Sequence, residues 1–390
     1  MAAQLHNDIH SGISPLETSP LGISSIPLPA TVEARPRAAA NAKKKLIRRA
    51  DRDRSQITRR SFQAAFLLLN VWVGGIFYFW VRQFETGGAS SWQRPAGVEG
   101  WLPIAGLMNV RYFMLTHHVP ALHPAGMFLL LAFLAMAFLF RKAFCSWLCP
   151  VGTISEYLGR AGRKLFRRSF HLPRWLDIGL RGLKYALLGF FAWAVMSMGA
   201  DELAAFMNSP YGVIADVKML NFFRHVSGTG AIILGVLVLA SFLIQNFWCR
   251  YLCPYGALLG IAALFSPTRI RRNPETCIDC AKCAKACPSA LPVDKLVTVK
   301  SAECTGCLEC VAACPAKDTL GLALPRIPML APRAAHLPVW AVAAGIAALF
   351  LGVVGFAKTA GYWDSHVPHA VYQQLVPHAD EAQHPMPGED

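Results

Sequence analysis

Long apolar runs dominate the hydrophobic pattern of this chain and predict an α-helical integral membrane protein. A run of about 20 apolar residues is long enough to cross about 30 Å of hydrocarbon as a helix. Five runs approach or reach that length, at about residues 62–81, 124–140, 185–200, 229–247 and 337–357. We therefore expect about five transmembrane helices.

Composition and charge extend this picture to an orientation. Hydrophobic residues make up 54% of the 390 residues, charged residues only 16%, and the net charge is +15. Of the 38 lysines and arginines, 32 lie in residues 1–61, 141–184 and 248–336. Because basic residues concentrate on the cytoplasmic side, these segments are predicted to face the cytoplasm of a bacterial inner membrane. Membrane orientation accounts for the excess charge, so no nucleic-acid partner is predicted.

Composition also divides the chain into segments. The first 42 residues are rich in proline and serine and lack a core pattern, which is typical of disorder. The predicted organisation is a disordered cytoplasmic tail at 1–42, a membrane domain at 43–267, a ferredoxin domain at 268–325, a last transmembrane helix at 326–357 and a periplasmic histidine-rich tail at 358–390.

Eight of the twelve cysteines form a pattern with a specific chemistry. The run CIDCAKCAKACP has the spacing C-x2-C-x2-C-x3-C-P, and CTGCLECVAACP repeats it 27 residues later. This is the signature of bacterial ferredoxins, in which the fourth cysteine of each run ligates the other cluster. Zinc is the less consistent alternative, because its four ligands normally come as two separated pairs.

The sequence therefore predicts a small α+β ferredoxin domain, inserted before the last span, with two [4Fe–4S] clusters. The predicted ligands are Cys277, Cys280, Cys283 and Cys314 for cluster 1, and Cys304, Cys307, Cys310 and Cys287 for cluster 2.

The other four cysteines belong to an internal repeat. CSWLCPVG at 145–152 matches CRYLCPYG at 249–256, and each follows an apolar run that is preceded by a histidine, His123 or His225. Two parallel repeats of this kind predict a pseudo-twofold arrangement of the helices. Around that axis Cys145, Cys149, Cys249 and Cys253 would converge into one four-cysteine site.

Three interpretations of this four-cysteine site remain open. It is a third metal centre, a pair of dithiols that cycle with disulfides, or a set of reduced cysteines that only pack helix ends.

The two C-x3-C-P motifs followed by a double ferredoxin domain resemble the NosR/NapH/NirI group of membrane polyferredoxins, which is related to the copper-reducing assembly factor CcoG. The resemblance covers about residues 62–357. It implies a protein that carries electrons from a cytoplasmic or quinol donor to a periplasmic or membrane redox enzyme. NosR-like proteins also carry a periplasmic flavin domain, but the longest outer segment here has about 40 residues, too few for one.

Histidines are concentrated on the predicted outer side, where eight of the twelve lie. Imidazole is a common ligand of copper and haem iron. If these histidines hold a metal, His123 and His225 are the first candidates, because the repeat places them at equivalent positions.

The predicted function is the relay of single electrons through the two clusters and the four-cysteine site to a membrane or periplasmic partner. No nucleophile with its base and no paired carboxylates are evident, so hydrolysis is not predicted. The alternative is an assembly factor that reduces copper or thiols for a respiratory oxidase or reductase, which would make the protein a metal reductase. A redox sensor is the third hypothesis.

Overall fold

A computed structural model describes residues 47–49, 53–87, 91–167, 170, 172–324 and 336–385. All of these belong to one compact unit, Lys44–Asp390. The predicted disordered tail at 1–42 lies outside the described residues, as does the start of the segment predicted at 326–357.

Among the residues that the structure describes, three helices are long and apolar enough to cross a membrane, which agrees with a helical membrane protein. They are α1 (Ser55–Glu85), α6 (Arg174–Ser197) and α14 (Val339–Thr359). They contain the predicted run 62–81 and most of the predicted runs 185–200 and 337–357. Most of their side chains are not buried within the protein, as expected for helices that face lipid.

The other two predicted runs form shorter helices. Helix α3 (Pro124–Phe140) has 17 residues, so its length is about 26 Å at 1.5 Å per residue. Helix α10 (Gly228–Leu243) follows α9 (Ala215–Arg224) across a bend of 82°. The two helices are long enough to cross a membrane only if they form one broken span. In the described part of the chain, length and composition thus give three or four spans, and the count of five spans remains a prediction.

The two sequence repeats have corresponding structures. In the first, α3 leads to the short α4 (Ala143–Trp147) and then α5 (Pro150–Phe166). In the second, α10 leads to a π-helical turn (Trp248–Leu252) and then α11 (Pro254–Leu264). Helix α3 packs on α11 and α10 packs on α5, so each repeat covers the other.

One glycine marks how closely the two repeats approach. A Cβ atom on Gly162 of α5 would lie 1.8 Å from the carbonyl oxygen of Phe242 in α10. Any larger residue would separate these helices, since real Cβ contacts are never that short.

The ferredoxin domain is built on a two-stranded antiparallel sheet of β1 (Arg269–Arg272) and β2 (Leu320–Ala323). Two short helices, α12 (Lys282–Ala286) and α13 (Glu309–Ala312), lie within the cysteine runs. Ile270 of β1 belongs to the same buried cluster as residues of α3 and α4. The ferredoxin domain is therefore packed on the membrane domain through a shared apolar core. We call this part of the molecule the cysteine end.

The remaining elements gather away from the cysteines, and we call that part the opposite end. They are a 3-10 helix (Ala96–Trp101), α2 (Pro103–Thr116), α7 (Ala200–Asn208), α8 (Pro210–Val213), α9 and α15 (His369–Leu375). A second apolar core holds them together, in which Trp80 of α1 contacts Tyr372 of α15 with ring centroids 5.0 Å apart. The segments predicted to lie on the periplasmic side thus pack with one another, and the segments predicted to lie on the cytoplasmic side also pack with one another.

Candidate metal centres

The eight ferredoxin cysteines line two separate cavities. Cys277, Cys280, Cys283 and Cys314 line the first cavity, and Cys287, Cys304, Cys307 and Cys310 line the second. Each cavity takes three cysteines from one run and the fourth from the other run. The structure therefore brings together the same two sets of side chains that the sequence assigned to clusters 1 and 2.

Backbone conformation explains how three cysteines of a run converge. The residue after the second cysteine, Ala281 or Leu308, adopts a left-handed conformation with φ of 54° or 58°. Each then starts a short helix, α12 or α13, which turns the third cysteine toward the first two. Left-handed backbone costs a non-glycine residue about 1–2 kcal/mol, so the loop geometry is imposed by its surroundings. A loop of this shape suits a bound group that the three sulfurs of one run and the fourth sulfur, from the other run, can all contact.

The two cavities differ in exposure. Cys280 of the first is the one exposed cysteine of the twelve, whereas Cys304, Cys307 and Cys310 of the second are buried. Burial raises the pKa of the Cys307 thiol to about 12, with a further contribution from the nearby Glu309 carboxylate. The second cavity is therefore the more buried of the two.

The C-x3-C-P-x-G motif has a local structural explanation. Cys149 is the N-cap of α5 and Cys253 the N-cap of α11, and each is followed by proline at the first helical position. The Gly152 amide donates to the Cys149 Sγ at 3.4 Å, and the Gly256 amide donates to the Cys253 Sγ at 3.3 Å. Amide donors and the positive end of a helix stabilise an anionic sulfur, so both sites suit a metal-bound thiolate.

The two glycines of these motifs are not equivalent, which gives a matched test. A Cβ atom on Gly152 would lie 2.3 Å from the Cys145 carbonyl oxygen, whereas a Cβ atom on Gly256 would lie 3.5 Å from the Cys249 carbonyl oxygen. We expect Gly152→Ala to lower the free energy of unfolding by about 1–3 kcal/mol through overpacking. Gly256→Ala should change it by no more than about 1 kcal/mol. Denaturant titration in detergent would measure both, and equal losses would contradict the steric explanation.

All four cysteines of these motifs line one cavity of about 1220 Å³. Cys307 of the second ferredoxin cavity, Lys142 and Glu303 line it as well. The cavity continues between aromatic side chains such as Phe66, Phe133 and Phe350 and reaches Arg94 and Asp364 at the opposite end. It thus links the cysteine end to the opposite end.

Burial makes the free thiols of this cavity weak acids. It raises the pKa of Cys145 to about 11 and that of Cys149 to about 12. The pKa values of Cys249 and Cys253 are also raised, with burial again the main cause. Thiol exchange requires the thiolate, so free thiols in this environment are poor nucleophiles. A metal ion displaces the proton, so the same four cysteines remain suitable as metal ligands.

Hydrogen bonds join the second ferredoxin cavity directly to the first C-x3-C-P motif. The Ser146 hydroxyl donates to the Thr305 carbonyl at 2.7 Å, and the Trp147 indole donates to the Gly306 carbonyl at 3.2 Å. Ser146 and Trp147 lie between Cys145 and Cys149, and Thr305 and Gly306 lie between Cys304 and Cys307. These hydrogen bonds therefore hold the first C-x3-C-P motif at a fixed position relative to the cysteines of the second ferredoxin cavity.

A buried ion-pair cluster fixes α1 to the same region. Arg59, which is 0% exposed, donates to both carboxylate oxygens of Glu156 at 2.7 Å and to Glu309 at 3.0 Å. Gln63 donates to Glu156 at 2.9 Å. These contacts join α1, α5 and α13, and sequence spacing gave no signal for them.

A second buried pair lies beside the four-cysteine cavity. The Lys184 ammonium donates to both carboxylate oxygens of Glu303 at 2.7 Å. Burial by itself raises the pKa of Glu303, but the charges of Lys142 and Lys184 outweigh it and lower that pKa. The negative charge of Glu303 is therefore retained and already paired.

His123 lies in a buried polar cluster at the opposite end. Its Nε2 donates to the Gly212 carbonyl at 2.9 Å, and its Nδ1 lies 3.1 Å from the Arg94 guanidinium. Arg94 also pairs with Glu99 and with Asp216, each at 2.7 Å. Burial raises the pKa of Glu99, but the Arg94 and His123 interactions bring it down to about 2. Both ring nitrogens of His123 thus have protein partners in this structure.

His225 lies elsewhere, at the exposed C-cap of α9. In the part of the chain that the structure describes, no three His, Cys, Asp or Glu side chains form a group that could hold a single metal ion. The assignment of His123 and His225 to a metal remains a prediction.

Two models of known protein families match this chain. A family model described as a 4Fe-4S binding domain matches twice, over residues 122–173 and 226–273, and each match contains one C-x3-C-P motif. A second model, described as a 4Fe-4S dicluster domain, matches residues 269–315. The double match coincides with the two sequence repeats.

Individual relatives agree with the family models. The chain is 49% identical over 322 residues to the putative electron transport protein YccM of Escherichia coli, an alignment that covers 82% of this chain and 90% of the relative. It is 32% identical over 182 residues to NirI of Paracoccus denitrificans, covering 45% of this chain and 26% of the relative. It is 27% identical over 192 residues to the ferredoxin-type protein NapH of Haemophilus influenzae, covering 48% and 62%. No solved structure matches the chain.

Proposed function

The chain belongs to the NosR/NapH/NirI-like family of ferredoxin-type membrane proteins, and from this we propose that it relays single electrons to a membrane or periplasmic redox partner. The proposed carriers are two [4Fe–4S] clusters in the ferredoxin domain and a third iron–sulfur centre at the four-cysteine site. The protein holds these groups in place, and the clusters supply the one-electron chemistry. No flavin domain is included in the proposal.

Three observations support a third iron–sulfur centre over the two other interpretations of the four-cysteine site. Cysteines with a pure packing role would fill space, but Cys145, Cys149, Cys249 and Cys253 line a large cavity. A dithiol switch requires thiolates, and burial disfavours them here. The family model that matches both C-x3-C-P motifs is itself described as a 4Fe-4S binding domain.

The exposure gradient supports an order for the electron path. Cluster 1, with exposed Cys280, is the proposed contact for a soluble donor, and buried cluster 2 follows it. From cluster 2 the electron passes to the four-cysteine site, because Cys307 lines the same cavity as those four cysteines. This shared cavity is the observation that carries the proposal.

The acceptor side of the path is proposed to lie toward the opposite end. The large cavity reaches that end between apolar and aromatic side chains, where Trp101, Trp363 and Arg94 line it. The donor is a cytoplasmic carrier or a quinol, and the acceptor is a membrane or periplasmic redox enzyme. The positive-inside distribution supports a cytoplasmic ferredoxin domain in a bacterial inner membrane.

A protein-sized reductant tests the order of the path, because it cannot enter the cavity. Reduced soluble ferredoxin should reduce the third centre of the wild-type protein, observed by electron paramagnetic resonance. In Cys307→Ala, which removes a ligand of cluster 2, we expect the rate of that reduction to fall by at least about tenfold, since the bridging carrier is missing.

A small viologen reductant is the control for this experiment. It can reach the third centre through the cavity, so it should reduce that centre in both proteins. Iron and sulfide analysis would establish that the variant keeps cluster 1 and the third centre. Equal rates with the protein-sized reductant in both proteins would exclude cluster 2 from the path.

A further inference from the structure

Lys142 lies beside the four cysteines without an ion pair of its own among the described residues. Lys142 lies three residues before Cys145, lines the cavity and is 3% exposed. Its ammonium lies within electrostatic range of Cys145 in the first motif and Cys253 in the second. Among the residues that the structure describes, none forms a hydrogen bond or ion pair with this ammonium.

The charged groups around Lys142 do not balance, because two lysines share one glutamate. The Glu303 carboxylate acts on Lys142 through its charge, but Lys184 already binds both of its oxygens at 2.7 Å. The two lysines and one glutamate therefore carry a net charge of +1 beside the cavity. An uncompensated buried charge costs several kcal/mol, so an anion in the cavity is expected to complete the arrangement.

Backbone contacts hold Lys142 in this position. The preceding Arg141 is 0% exposed and has a left-handed φ of 62°. Its guanidinium donates to the carbonyl of Ala263 at 2.7 Å and to the carbonyl of Ser301 in the ferredoxin domain. Arg141 thus anchors the loop at two points, and this directs the next side chain into the cavity.

The second repeat has no equivalent cation. The residue three positions before Cys249 is Asn246, which also lines the cavity and whose buried Oδ1 has no hydrogen-bond partner. The second repeat does contribute Arg250 to the cavity lining, but Arg250 pairs with Asp177 at 2.7 Å. The cation without an ion pair is therefore a feature of the first repeat and does not follow from the duplication.

We propose that Lys142 is a positioning residue that balances the negative charge of the third iron–sulfur centre and raises its reduction potential. This inference rests on the proposed third centre. Four thiolates give such a centre a net negative charge, and one electron taken from cluster 2 adds a further negative charge while cluster 2 is oxidised by one electron. A fixed cation in a low-dielectric cavity stabilises the reduced form more than the oxidised form.

The test is a redox titration of the third centre by electron paramagnetic resonance, with iron and sulfide analysis of each protein. Lys142→Met keeps the length of the side chain and removes the charge, and Lys142→Arg keeps the charge. Lys295→Met removes an exposed lysine of the ferredoxin domain and is the control. We expect Lys142→Met to lower the ratio of reduced to oxidised centre at least about tenfold at a fixed potential, which is about 59 mV for one electron.

The expected pattern is a lowered potential in Lys142→Met, with values close to wild type in Lys142→Arg and Lys295→Met. Loss of the third centre in Lys142→Met but not in Lys142→Arg also supports a charge requirement. An unchanged potential in a fully loaded Lys142→Met protein, or loss of the centre in both Lys142 variants, would overturn the inference. Absence of a third centre would be seen separately, as a lower iron content of the wild-type protein.

Discussion

Replacement of Cys145, Cys149, Cys249 and Cys253 together by serine should remove about four of about twelve iron atoms and leave about eight in the ferredoxin domain. The reason is that the four cysteines line one cavity, separate from the two cavities of the ferredoxin cysteines. Anaerobic purification, iron and sulfide analysis and electron paramagnetic resonance would measure this loss. One set of signals should disappear while those of clusters 1 and 2 remain.

A variant of the ferredoxin domain is the matched control for that experiment. Cys277→Ser with Cys280→Ser removes two ligands that line the first cavity. It should lose the iron of cluster 1 and keep the signals of the third centre. About eight iron atoms in both the wild type and the four-serine variant would exclude a third [4Fe–4S] centre.

Glu156→Gln should lower the free energy of unfolding by about 1.5–3 kcal/mol, because it replaces the charge-assisted hydrogen bonds of buried Arg59 by neutral ones and leaves Arg59 paired with Glu309 alone among the described carboxylates. Arg59 and Glu156 have side-chain exposures of 1% and 7%, and they join α1 to α5. Denaturant titration in detergent, followed by the loss of iron–sulfur absorbance, would measure the change. We expect α1 to dissociate from the cysteine end before the rest of the protein unfolds.

Two comparisons make this prediction specific. The double variant Arg59→Met with Glu156→Leu removes both charges and should cost less than Glu156→Gln alone, since paired replacement by apolar residues is often nearly neutral. Glu85→Gln breaks the Arg224–Glu85 pair, whose side chains are 18% and 24% exposed, and should cost about 0–1 kcal/mol. Equal losses for Glu156→Gln and Glu85→Gln would contradict a special role for the buried pair.

Cysteine chemistry was the part of this protein most accessible from sequence. The grouping of the eight ferredoxin cysteines could be predicted because two-residue spacers hold three sulfurs in one local loop. The repeat could be predicted because both C-x3-C-P motifs follow apolar runs of similar length. The family models matched both copies of the repeat and the dicluster segment.

The number of spans was less accessible from sequence. Hydropathy marked residues 124–140 and 229–247 as two further crossings, yet α3 has only 17 residues and α10 follows an 82° bend. Apolar character reports that a segment avoids water. It does not distinguish lipid from the protein interior, and most of α3 packs against α2, α11 and α14.

The sequence by itself determined the membrane class, the ferredoxin domain, the repeat and the grouping of the twelve cysteines, because each depends on local spacing or on a continuous apolar run. Only the tertiary structure decided which charges are paired. Glu303 pairs with Lys184, 119 residues away, and Arg59 pairs with Glu156, 97 residues away, which leaves Lys142 beside the four cysteines without an ion pair among the described residues. Ion pairs form between side chains that folding brings together, so the spacing of residues along the chain does not predict them.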